Sequence, residues 1–105
     1  MKHKIERANE YFKSQYPNEV IFYKLPLGYM AFGAEVPKLS SLLGVSPRTL
    51  YDLPCISLPV SDFLEKIEIL GLCGVTYRTI SYFDDNGNLT IPDVDKLIEE
   101  QENDY

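Results

Sequence analysis

The sequence predicts an α/β (α+β) fold, a mixed β-sheet with flanking helices. Apolar residues recur at spacings of three and four in several segments, β-branched and aromatic runs lie between those segments, and Pro and Gly mark most junctions. Alternating elements of this kind must bury their apolar faces against one another, which gives a layered mixed architecture.

The elements follow in order. In HKIERANEYFKSQYP, Ile5, Ala8, Phe12 and Tyr16 share one helical face, and Pro17 stops the helix. VIFYKL (20–25) reads as a buried strand. Pro26 presets a turn and Gly28 eases its exit, so Tyr29 to Phe32 form a second, antiparallel strand. Pro37 suits the first turn of a helix with Val36, Leu39, Leu42 and Leu43 inward and Gly44 as its stop. Pro47 and Pro54 break regularity in 45–58, which predicts a short strand near Thr49–Asp52 and then an extended, partly buried linker. Pro59 opens a helix with Val60, Phe63, Leu64, Ile67 and Leu70 on one face and Gly71 as its end. GVTYRTISYF (74–83) has the strongest strand composition in the chain. Asn86-Gly87 signals a hairpin into a short strand at 88–90. A last helix starts near Pro92, with Thr90 as cap and Ile91, Val94, Leu97 and Ile98 inward, and the tail EEQENDY frays.

At 105 residues the chain makes one domain (1–105), with a body over 5–83 and an acidic hairpin, helix and tail over 84–105. Its net charge of −6 is uneven. Residues 1–50 hold seven Lys/Arg against four Asp/Glu, whereas eight acids follow Phe83 with Lys96 as the only base. Such a balance supplies little of the attraction to phosphate that dominates nonspecific DNA affinity. No run is long and apolar enough for a membrane span, and MKHKIERANE has no secretory character. A cytoplasmic protein is expected, with Cys55 and Cys73 as free, buried thiols.

The residue types needed for catalysis are scarce. His3, the lone histidine, reads as a solvated surface residue. His3, Cys55 and Cys73 are too scattered for zinc, and Asp84-Asp85-Asn86-Gly87 lacks the glycine and closing glutamate of a calcium loop. Glu65 and Glu68 suit a solvated helix face, and no phosphate-cradling glycine motif occurs. The expectation is a protein that is not an enzyme and uses no cofactor.

Two blocks, taken together, carry a resemblance. They are YFKSQYPNEVIFYKLPLGYMAFGAEVPKLSSLLGV (11–45) and ISLPVSDFLEKIEILGLCGVTYRTI (56–80). Phe22-Tyr23-Lys24, Leu39-Ser40-Ser41-Leu42-Leu43, Phe63-Leu64-Glu65-Lys66-Ile67 and Gly71 are its anchors, without gaps inside either block. The blocks resemble the N-terminal mismatch-recognition domain (domain I) of the MutS DNA mismatch repair family, here as a stand-alone, degenerate homologue. The resemblance implies a mixed sheet wrapped by helices. It also implies a hairpin where the family wedges a Phe into the base stack and bonds the displaced base with a Glu. Those positions fall on Gly28 and Met30, which have no ring to insert and no strong acceptor. The family's Asp before the Phe falls on Leu27, and its Ile-Pro-Tyr-His histidine on Leu58.

Two functions stay open on this reading. One is association with duplex DNA without mismatch specificity, with Lys13, Lys24, Lys38 and Arg48 as candidate phosphate contacts beside Lys2, Lys4 and Arg7. The other is protein interaction or self-association through an apolar hairpin tip of Leu25, Leu27, Tyr29 and Met30. A third idea has the acidic tail fold back over the basic half, or imitate DNA.

Overall fold

A computed structural model describes residues 3–102. Helix α1 (Lys4–Gln15) starts at His3, whose Nδ1 accepts the Ile5 N–H at 3.1 Å. The expected free surface histidine is therefore a helix cap, and its ring stacks on Tyr51 at 3.8 Å between centroids. Strands β1 (Glu19–Leu25) and β2 (Gly28–Phe32) form the expected antiparallel hairpin. Leu25 pairs with Gly28, so Pro26 and Leu27 alone make the turn. Helix α2 (Val36–Leu43) carries Pro37 in its first turn and ends where Gly44 takes a left-handed φ of 66°.

The next segment departs from expectation. Strand β3 spans Arg48–Leu50, and the predicted strand residues Tyr51 and Asp52 instead turn the chain with φ of 51° and 63°. Two successive left-handed residues make the tight turn that matches strand twist, although neither is the usual Gly or Asn. The predicted linker is strand β4 (Leu53–Pro59), paired with both β2 and β3 and burying Cys55, Ile56 and Leu58. Its prolines are tolerated because of the strand's phase. The Pro54 carbonyl accepts from Gly33 N–H at 2.9 Å, so even-numbered β4 residues bond toward β2 and odd-numbered ones toward β3. Pro54 lies beyond the last residue of β2, and Pro59 turns its missing donor toward the side β3 has already left.

Helix α3 (Val60–Leu72) runs past Gly71 and is capped by Cys73, before a left-handed Gly74. Phe63 and Leu70 are buried and Ile67 packs beside them, but Leu64, predicted inward, is 63% exposed. A residue next to Phe63 lies about 100° round the helix, too far to reach the same core. Strand β5 (Thr76–Ser81) is shorter than predicted and pairs parallel with β1 at the sheet edge, which leaves most of its side chains in solvent. Beyond it, the Asp84 carboxylate accepts the N–H groups of Asn86 and Asn88 at 2.9 Å each. The predicted hairpin is thus a wider turn closed by a single Phe83–Leu89 bridge, with no strand over 88–90. Helix α4 (Val94–Glu102) is capped by Asp93, which accepts the Lys96 N–H at 3.4 Å, and not by Thr90. Glu99–Glu102 are helical where fraying was expected; the remaining tail residues, 103–105, lie outside the described residues.

The sheet order is β3-β4-β2-β1-β5, mixed in direction. Alternating strand residues feed two cores. Val20, Phe22, Ala31, Ile56 and Leu58 face α2 and α3, while Ile21, Tyr23, Phe32 and Cys55 face α1 and α4. The fold is α+β, with four helices around a five-stranded sheet among the described residues. The acidic helix does lie over the first helix, joined by Arg7–Asp95, with Arg7 Nε at 3.0 Å from the carboxylate. No helix of the described residues is long and apolar enough to cross a membrane.

Candidate functional site

The β1–β2 hairpin projects from one end of the sheet. Leu27 at its turn is 91% exposed, while Leu25, Tyr29 and Met30 are half-buried. The strand alternation divides these four residues. Leu25 and Met30 pack on the α1/α4 side, whereas the Tyr29 ring stacks on Phe63 of α3 at 3.8 Å and 15°. The predicted apolar tip is therefore one projecting leucine with side chains on two faces, not a single patch.

Beside the hairpin lies a groove of about 510 Å³, lined by Leu25–Met30, Ser57–Pro59 and Arg48. Its lining contains one charge, the Arg48 guanidinium, which makes no ion pair with a described residue. A second cavity of about 300 Å³ shares Leu25 and Met30 and continues along the same face to Leu50, Tyr51 and Ile91. This end of the sheet is thus largely apolar among the described residues, with Arg48 at the rim of the groove and His3 and Lys4 of the α1 start at the second cavity.

Gly28 is held against β4. A side chain built on it would place its Cβ 2.1 Å from the Leu58 carbonyl oxygen. At the position where the resemblance puts an intercalating Phe, the neighbouring backbone leaves no room for even a methyl group. Met30, at the Glu position, packs beside the α1/α4 core with no acceptor to present.

The candidate phosphate contacts do not converge. Lys13 Nζ is engaged by Glu35 and by the Glu19 carbonyl at 2.9 Å, beside Lys38, in a cavity at the start of β1. Arg48 is at the hairpin end, about 20 Å away for a seven-residue strand. Lys24, opposite Tyr29 in the ladder, points to the α2/α3 face, while Arg48, opposite Cys55, points to the other. Lys2 lies outside the described residues.

Cys55 and Cys73 are both free; Cys55 is buried as expected, but Cys73 is exposed because α3 extends beyond Gly71 and places it at the helix end. The Tyr23 hydroxyl is buried with no hydrogen-bond partner among the described residues, and that burial pushes its pKa above the ordinary tyrosine value. Arg78 is hydrogen-bonded to Glu19 at 2.6 Å, which raises its pKa, and it lies over the Tyr16 ring at 3.9 Å. Sequence reasoning missed Ser57, Leu58 and Pro59 as groove residues. The signal was the apolar run of Cys55, Ile56 and Leu58, masked by Pro54 and Pro59.

No protein-family model matches this sequence, and no match to it was found among curated proteins.

Proposed function

We propose that this chain is a non-catalytic protein-interaction module that meets its partner through the hairpin end of the sheet. One observation carries the reading: a fully projecting Leu27 beside an apolar groove of about 510 Å³. An exposed leucine next to an apolar depression is the composition of a contact surface, because both gain by leaving water together. The scaffold reading, a likeness to the MutS N-terminal domain without its Phe-x-Glu reader, rests on the two sequence blocks and is part of the same proposal. A cytoplasmic setting fits the exposed free thiol of Cys73, which a reducing compartment preserves.

A second reading is association with duplex DNA without mismatch discrimination. It draws on Lys24, Lys38 and Arg48, none of which is ion-paired to a described residue.

The test places a photo-crosslinking benzoylphenylalanine at Leu27 and, as control, at Leu72, which is 88% exposed on α3. Discrete protein adducts confined to position 27 support the first reading. Equal adducts at both positions, or none, end it. A homoduplex gel shift at ~50 mM salt that Lys24→Ala and Arg48→Ala both weaken establishes the second reading instead.

A further inference from the structure

The groove and the sheet edge beside it are incomplete in a complementary way. Strand β4 spans Leu53–Pro59, but β3 covers only Leu53 to Cys55, through the pairs Leu50–Leu53 and Arg48–Cys55. In the phase set by the Gly33–Pro54 hydrogen bond, Ser57 is the next residue whose N–H and C=O point to the β3 side. No described residue pairs with them there. The Pro59 carbonyl, at the N-cap of α3, is the first acceptor of that helix, so the open position of the edge is Ser57. This stretch of unpaired edge borders the apolar groove.

The side chains of Arg48, Cys55 and Ser57 lie on one face of the sheet by register, the face on which Leu25 and Met30 pack. Arg48 is the groove's only charge among the described residues, pairs with none of them, and is accompanied by no acid among the groove residues. A guanidinium at the rim of an apolar site favours a carboxylate, which it can grip with two parallel hydrogen bonds.

We propose that an extended segment of a partner protein adds as a strand to the open edge of β4 at Ser57, running past Pro59, with an apolar side chain in the groove and a carboxylate on Arg48. This rests on the protein-interaction reading above and names the occupant of that surface. Running antiparallel to β4, as β3 does, the segment reaches Pro59 first and Ser57 second. Residues two apart share a face. The recognised pattern is therefore an apolar residue followed two positions later by Asp or Glu. Main-chain bonds to Ser57 supply attachment, and the groove and Arg48 supply selectivity, as in other cases of strand addition.

Fluorescence polarisation with the fluorescein-labelled peptide Thr-Val-Thr-Glu-Thr tests the inference on the intact chain. Saturable binding is expected, weakened about tenfold or more by Arg48→Glu and recovered on that variant by the peptide with lysine for glutamate. Methylating the peptide nitrogen that faces Ser57 should weaken binding to the unaltered protein, which needs no protein variant and so no folding control. A peptide with valine and glutamate exchanged should bind less well. No saturable binding up to about 1 mM overturns the proposal. So does binding indifferent to Arg48→Glu and to nitrogen methylation. If the peptide fails while Leu27 crosslinks persist, strand addition falls and the interaction reading stands; if both fail, both fall.

Discussion

Gly28 and Leu58 are in backbone contact: a Cβ on Gly28 would sit 2.1 Å from the Leu58 carbonyl oxygen. That oxygen belongs to β4, which cannot retreat without breaking its pairing with β2. Gly28→Ala should therefore lower stability by roughly 1–3 kcal/mol, the range for overpacking a filled site. Urea denaturation monitored by circular dichroism measures it, and an unchanged midpoint would refute the close approach. Gly28→Phe should be still less stable and should not create a mismatch reader.

The two faces of α3 make opposite predictions. Leu70 is fully buried, and Leu70→Ala should cost roughly 2–5 kcal/mol. Leu64→Ala should stay within about 0.5 kcal/mol, because that side chain is largely in solvent. Equal losses would mean that the helix is rotated from the orientation described above.

Tyr23 buries a hydroxyl that has no hydrogen-bond partner among the described residues. Tyr23→Phe should be neutral or stabilising by about 1 kcal/mol, since an unmet polar group is removed from the core. The raised folded-state pKa has a consequence of definite sign. The unfolded chain loses this proton near pH 10 and the folded chain holds it, so the contribution is intact below about pH 10 and is lost as pH rises beyond it. The phenylalanine variant should lose less stability than the wild type between about pH 10 and pH 11, where the slope per group approaches ~1.4 kcal/mol per unit. A larger loss in the variant would contradict the assignment.

Cys73 is exposed and Cys55 buried. An aromatic disulfide reagent should titrate one thiol rapidly in the native protein and the second only on unfolding, and Cys73→Ser should abolish the rapid phase. Two rapid thiols would mean that the β4 face is open.

Asp52 holds a left-handed φ of 63° in the β3–β4 turn. Asp52→Gly should raise stability by about 1 kcal/mol, because glycine adopts that conformation without steric cost. A destabilised variant would indicate a role for the carboxylate beyond the turn.

Much of this architecture is legible in the sequence where local chemistry and tertiary demand agree. Pro37 and Gly44 bracket α2, and Pro26 and Gly28 bracket the first turn, because the same residues satisfy both. The failures are positional. Pro54 and Pro59 argue against a strand until one knows which neighbour each would have bonded, and strand phase is a property of the assembled sheet. Tyr51-Asp52 contains no turn glycine, so only its pairing geometry identifies it. Composition suggested an apolar hairpin tip, yet which face receives Tyr29 and which receives Met30 depends on the helices packed on either side. The groove escaped notice for the same reason, since it is bounded by a strand mistaken for a linker.

The start of β3 is fixed from a distance. Val45 donates its N–H to the Ser40 carbonyl at 3.2 Å, and the Ser40 hydroxyl bonds the Val45 carbonyl, so the chain leaving α2 is tethered until Val45. Only then can it swing across to meet Cys55 at Arg48. The tether acts as a stop on a ruler: it sets how many rungs the β3–β4 ladder has. Loosening it, or lengthening the connection after Gly44, would let the chain close its own border at Ser57. Whether this sheet ends in a finished hem or an open one is therefore decided by a serine on a helix of the opposite layer.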